Sequence, residues 1–202
     1  GGTGALRVGG GFLARVFDQV PTLWHSNPTW ANHQAVFTSA GLPLASYRYY
    51  DAATHSLDRE GFFSDLEKVT AGDVVLLHVC CHNPTGVDLV GDDWARVAVL
   101  AKEKGFIPFF DFAYQGFGDG LVEDREALVP FINADIEFLV ANSFSKNFGL
   151  YKERTGGLTL VARSAETASK ARTRLNKVVR SNYSNPPSHG GAIVTTILDS
   201  AD

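Results

Sequence analysis

Four short apolar runs, at residues 74–80, 106–110, 136–141 and 158–162, dictate the architecture of this chain. Runs of this length that are apolar on successive residues suit strands buried on both faces, as in a parallel sheet covered from both sides. Between them lie stretches with helical spacing. Residues 5–20 carry Leu6, Phe12, Leu13, Val16 and Phe17 on one stripe after a glycine-rich turn. Residues 30–40 stop at Gly41, residues 92–104 stop at Gly105, and Asp58 precedes a helix running to Val69. Further helices are expected at 164–179 and at 188–198, the latter after Pro186-Pro187. Residues 23–25 and 44–50 are strand candidates. Strands alternating with helices of this length argue for βαβ units: an α/β fold in three layers, a mostly parallel sheet with helices on both faces. No repeat, low-complexity tract or Gly/Ser linker divides the 202 residues, so one layered unit over 1–202 is expected.

In such sheets ligands bind beyond the carboxyl ends of the strands. The polar residues there are Asn83 after the first run, Asp111 after the second, and Ser143 and Lys146 after the third. Lys146 stands in Ser-Phe-Ser-Lys-Asn-Phe-Gly (143–149), among aromatics and small hydroxyls. Desolvation there lowers an amine's pKa, and a neutral amine forms a Schiff base with a carbonyl. Asp111, after Phe109-Phe110, needs a charged or hydrogen-bonding partner, and a protonated pyridine nitrogen would serve. The bland alternative is an N-cap for a turn at 114–118. Gly2-Thr3-Gly4 opening a helix fits an anion cradle, and Arg154 could add a bidentate contact to a phosphate. Taken singly, each of these residues has an ordinary reading as a surface, capping or turn residue.

Other chemistries are poorly supported. Cys80, Cys81 and His82 are contiguous and lack a second ligand pair, so no metal site is expected. No G-x-S-x-G elbow supports a serine nucleophile. The formal charge of −4 gives no sign of nucleic-acid binding, and the basic stretch Lys170, Arg172, Arg174, Lys177 reads as a solvated helix face. No apolar run approaches the ~18 residues that cross a bilayer. Adjacent cysteines that staple nothing suit a reducing, cytoplasmic setting. The chain contains no Met and opens Gly1-Gly2-Thr3-Gly4, which leads to the expectation of an internal piece of a longer protein.

Taken together, the residues converge on a family. Ser-Phe-Ser-Lys-Asn-Phe-Gly-Leu-Tyr-Lys-Glu-Arg-Thr-Gly (143–156) resembles the pyridoxal-phosphate lysine segment of class I aminotransferases. Asp-Phe-Ala-Tyr-Gln-Gly-Phe (111–117), His-Asn-Pro-Thr-Gly (82–86), Asn-Pro-Thr-Trp (27–30) and Asn-Tyr-Ser-Asn-Pro-Pro (182–187) fit the same family in its order. Within it the chain is most similar to bacterial aspartate aminotransferases, with aromatic aminotransferases next.

The resemblance implies the fold of the large pyridoxal-phosphate-binding domain, and it implies roles. Lys146 would hold the cofactor and move the substrate α-proton. Asp111 would keep the pyridine nitrogen protonated. Tyr114 and Asn83 would hydrogen-bond the cofactor's phenolic oxygen, and Trp30 would stack on its ring. Gly2, Thr3, Ser143, Ser145 and Arg154 would surround the phosphate. Trp30 and Asn83 would also meet the substrate. Arg180 would cross a homodimer interface to read the distal carboxylate of a dicarboxylate. The implied reaction is ping-pong transfer of an amino group between L-aspartate and 2-oxoglutarate. An aromatic amino-acid aminotransferase is the alternative in the same class, and a cofactor-binding piece without turnover is the alternative in another. The family's N-terminal arm, its small domain and its arginine for the α-carboxylate find no counterpart in these residues.

Overall fold

The structure, a computed structural model, describes residues 1–200. It opens with α1 (Gly2–Val16), β1 (Leu23–Asn27), α2 (Asn32–Ala40) and β2 (Leu44–Arg48). A small ribbon, β3 (Tyr50–Asp51) with β4 (Ser56–Leu57), leads into α3 (Arg59–Leu66) and β5 (Val74–His78). Next come α4 (Asp93–Lys104), β6 (Ile107–Phe112), a 3-10 turn at Glu123–Leu128 and α5 (Val129–Asn133). The chain ends with β7 (Phe138–Ser143), β8 (Gly156–Val161), α6 (Ala165–Asn182) and α7 (His189–Leu198).

The main sheet runs in the order β2-β1-β5-β6-β7-β8. Its first five strands are parallel, and β8 alone pairs antiparallel, on β7. The expected mostly parallel, doubly covered sheet is therefore present. Alternation along the strands explains the continuous apolar runs. Val75, Leu77 and Phe110 enter one core with Phe62, Trp94 and Phe131 from α3, α4 and α5. Val74, Leu76 and Phe109 enter the opposite core with Leu6, Leu13 and Phe37 from α1 and α2.

Local chemistry sets the helix ends. Asp58 and Ser164 each accept a hydrogen bond from the backbone N–H three residues on, capping α3 and α6. Gly9 lets α1 lie close on the sheet, since a Cβ there would stand 2.5 Å from Cζ of Phe109. The 44–50 segment is split, with β2 ending at Arg48 and the chain turning into β3. The 3-10 turn and α5 were not legible as periodic elements, being too short to show a period.

The connectivity creates the crevice. From β1 the chain moves outward to β2, then returns to place β5 on the other side of β1. The carboxyl ends of β1, β5, β6 and β7 thus face one crevice at the switch point. Among the described residues no helix is long and apolar enough to cross a membrane.

Candidate active site

Register brings the strand-end residues together. Asp111 of β6 pairs with His78 of β5 on one side and Ala141 of β7 on the other. The cleft above them is lined by all ten residues expected for catalysis or cofactor contact: Lys146, Asp111 and Tyr114 with Gly2, Thr3, Trp30, Asn83, Ser143, Ser145 and Arg154. Arg180 lies elsewhere, exposed near the end of α6, with its Nη1 donating to Ser184 Oγ at 2.5 Å.

Asp111 is buried and, contrary to the capping alternative, its carboxylate accepts no backbone N–H among the described residues. Its Oδ2 accepts a hydrogen bond from Nε2 of His33 at 2.8 Å, and Thr29 Oγ1 pairs with the other nitrogen, Nδ1, at 2.8 Å. Burial alone would raise the Asp111 pKa. The His33 bond and the fields of His78, His33 and Lys146 outweigh it and hold the carboxyl below its ordinary value. Oδ1 accepts no hydrogen bond from a described residue, although Asp111 lines the cleft. A buried anion with one oxygen pinned and one free is suited to receive a cationic N–H from the cleft.

The turn after β6 is organised by Asp124 instead. Its carboxylate accepts the backbone N–H groups of Gly116, Gly118, Asp119 and Gly120, between 2.7 and 3.4 Å. The Cys80 thiol, its pKa raised by burial and by Asp124, donates to Tyr114 O at 3.4 Å and approaches Asp124 Oδ2 at 3.5 Å. Those contacts fix the backbone that carries Tyr114. The Lys146 ammonium stands 4.7 Å from the centre of the Tyr114 ring and 5.5 Å from that of Tyr151. No carboxylate pairs with it among the described residues.

At the other end of the cleft, α1 begins at Gly2 with no side chain capping its first turn. Gly2 packs so closely that a Cβ would stand 3.0 Å from Cβ of Ser143. Ser143 and Ser145 are buried, and Arg154 donates from Nη1 to Ser145 Oγ at 3.2 Å. Uncapped helix N–H groups, two hydroxyls and a guanidinium form a cradle for a phosphate. Phosphate donors at one end, an acceptor for a pyridinium at the other and an amine between them fit pyridoxal phosphate.

Sequence reasoning missed the histidines. The ring of His33 is fully buried, 5.2 Å from those of Trp30 and His78. Its signal was a polar residue on the same helical face as Val36 and Phe37, and that of His78 was a polar residue ending an apolar strand. Donor atoms of His33, His78 and Asp111 lie within 4.8 Å of one another, the spacing of a metal site. The hydrogen bonds argue otherwise. Both His33 nitrogens are engaged, and the Asn83 backbone N–H donates to His78 Nδ1 at 3.2 Å, leaving the proton of neutral His78 on Nε2.

The family model for aminotransferase class I and II matches residues 1–202. The chain is 54% identical over 198 residues to an aspartate aminotransferase of Salmonella typhi, and 53% identical over 198 to one of Escherichia coli K12. Each match covers 98% of this chain and 50% of the relative, so the chain spans about half the length of these curated proteins. An aromatic-amino-acid aminotransferase from Burkholderia pseudomallei, solved covalently bound to pyridoxal phosphate, superposes with a TM-score of 0.96 at 44% identity. That match covers 99% of this chain and 50% of the solved one.

Proposed function

The chain belongs to the class I and II aminotransferases, and from that premise we propose that residues 1–202 are the pyridoxal-phosphate-binding large domain of an aspartate aminotransferase. The observation that carries the reading is Asp111: a buried carboxylate pinned on Oδ2 by His33, with no hydrogen bond to Oδ1 from a described residue, in the cleft that Lys146 also lines. When bound, pyridoxal phosphate supplies an aldehyde that takes up the amino group and a ring that withdraws electrons from the substrate's α-carbon.

The chain's own residues do the rest. Asp111 accepts the ring N–H and keeps that nitrogen protonated. Lys146 anchors the cofactor, and its Nζ takes and returns the α-proton. Tyr114 and Asn83 donate to the phenolic oxygen, and Trp30 covers the ring. Gly2, Thr3, Ser143, Ser145 and Arg154 hold the phosphate. With these roles the full-length protein exchanges amino groups between L-aspartate and 2-oxoglutarate in two half-reactions, as a cytoplasmic homodimer in which Arg180 of one subunit serves the cleft of the other. The similarity to aspartate aminotransferases supports that substrate pair. Cys80 and Cys81, both free thiols, support a reducing compartment. The likeness to the Burkholderia enzyme favours the alternative in the same class, an aromatic amino-acid aminotransferase.

Absorbance spectra with added pyridoxal phosphate test the assignment in the full-length protein. After unbound cofactor is removed, wild type should keep a pH-dependent near-ultraviolet to visible band distinct from that of free pyridoxal phosphate, and Lys146→Ala should not. Equal bands in both proteins would remove Lys146 from its role.

A further inference from the structure

His82 has no part in the roles above, yet it is 2% exposed and hydrogen-bonded at both ring nitrogens. Nε2 pairs with Ser26 Oγ on β1 at 2.8 Å, and Nδ1 pairs with Thr85 Oγ1 at 2.8 Å. The ring stacks on Tyr49, with centroids 4.0 Å apart and planes inclined by 15°, and lies 4.3 Å from the ring of His78. The Tyr49 hydroxyl donates to Val87 O at 2.6 Å, on the far side of the same turn. Backbone contacts complete the clamp: Gly86 N–H donates to His82 O at 2.7 Å, and Asp88 accepts the N–H groups of Cys81 and His82. Asn83 leaves this clamp half-buried and lines the cleft, and its side-chain amide has no hydrogen-bond partner among the described residues.

We propose that His82 is a positioning residue for Asn83: its doubly bonded ring ties the 82–86 turn to the end of β1 and so sets where the Asn83 amide stands over the cleft. A donor aimed at a charged oxygen acts only within a few tenths of an ångström of its place. The ring sits where the sheet's connectivity reverses, between β1 and β5, and spans the two elements whose separation fixes that place. The titratable and charged groups around it are His78, His33, Tyr49 and Asp88, from β5, α2, the 49–51 segment and its own turn. Desolvation keeps both His78 and His82 neutral at physiological pH, so the tie works through hydrogen-bond geometry. The inference rests on Asn83 meeting the cofactor's phenolic oxygen, as proposed above.

The test reads the pH midpoint of the absorbance band in the full-length, pyridoxal-phosphate-loaded protein. Asn83→Ala sets the scale by raising the midpoint, because the phenolic anion loses a donor. His82→Phe keeps a ring for stacking but loses both hydrogen bonds, and should raise the midpoint by about one pH unit. Ser26→Ala, which removes one hydroxyl, should move it less and in the same direction; it carries the test alone if His82→Phe does not fold. The double variant His82→Phe/Asn83→Ala should sit where Asn83→Ala sits, since a positioning effect vanishes with its object. Wild-type midpoints in His82→Phe and Ser26→Ala, or additive shifts in the double variant, would overturn the positioning role. An unmoved midpoint in Asn83→Ala would refute the Asn83 contact itself, and the inference with it.

Discussion

His33 and Asp111 are 78 positions apart in the chain and 2.8 Å apart in the fold, joined from Nε2 to Oδ2 beneath the cleft. Thr29 holds the far nitrogen, so hydroxyl, imidazole and carboxylate form one line from the segment before α2 to the end of β6. His33→Leu should cut that line without a change in backbone. The buried carboxylate would lose a hydrogen bond worth about 1.5–3 kcal/mol, and its pKa would rise. A depressed carboxylate stabilises the fold above its unfolded pKa and loses that contribution as pH falls through its native pKa. Urea unfolding at pH 7 should therefore show the loss, and the difference between variant and wild type should shrink in acid below the ordinary carboxylate value of 3.8. An undiminished difference at low pH would mean that His33 acts by packing alone.

The neighbouring imidazoles predict a second pH effect. Desolvation lowers His78 to about 4, and desolvation with the nearby His78 lowers His82 to about 3, against 6.5 for the ordinary ring. Between those values and 6.5 the unfolded chain binds protons that the native chain refuses, so stability falls as pH drops through that window. Each ring contributes at most roughly 1.4 kcal/mol per pH unit. His78→Gln and His82→Gln retain hydrogen-bonding capacity but do not titrate. Each should remove about one proton from the slope of unfolding free energy between pH 6.5 and 4.5; an unchanged slope would place the proton uptake elsewhere.

Asp124 concentrates four backbone N–H groups on one carboxylate. Asp124→Asn would turn one acceptor oxygen into a donor facing donors, at a cost of about 2–4 kcal/mol. The effect should be local first. Amide hydrogen exchange should quicken at 116–120 while the strands of the sheet stay protected, and protection unchanged at the loop would contradict the pinning role.

The sheet, its doubly buried strands and the cleft residues were legible because apolar runs and strand-end polar residues lie next to each other in sequence. Asn83, Asp111 and Lys146 each follow their strand by a few positions or close it. His33 was not legible in the same way: its meaning depends on Asp111, which only the sheet register brings beneath α2. Asp124 was hidden for a related reason. Its partners are backbone amides of a loop, and backbone donors leave no mark on a sequence. The antiparallel β8 was also hidden, since an apolar run states that a strand is buried but not which way it runs.

The approach of α1 to the sheet predicts a contrast between glycines. At Gly9 a Cβ would stand 2.5 Å from Cζ of Phe109, a ring with no exposure that also packs on Phe37. Gly9→Ala should therefore cost about 1–3 kcal/mol through overpacking. At Gly4 nothing lies within 4 Å of the added atom, and the backbone is helical. Gly4→Ala should gain up to about 1 kcal/mol from reduced chain entropy. Thermal melting of the two variants in the same buffer checks the pair; a shift of the same sign in both would refute the close approach as the cause.

The role in substrate choice proposed for Arg180 can be tested. It is exposed near the end of α6, held by Ser184 Oγ, and no carboxylate pairs with it among the described residues. A guanidinium without an internal counterion is available to a dicarboxylate, and its fork matches both oxygens of the distal group. In the full-length protein Arg180→Ala should lower kcat/KM for aspartate by about 2–5 kcal/mol of transition-state stabilisation, because a bound carboxylate then loses its partner. Aromatic amino acids have no distal carboxylate to lose, so their kcat/KM should fall far less. The ratio of the two losses is the informative quantity. A protein that loses both activities equally would be using Arg180 for structure or assembly, and the dicarboxylate role would have to move to another residue.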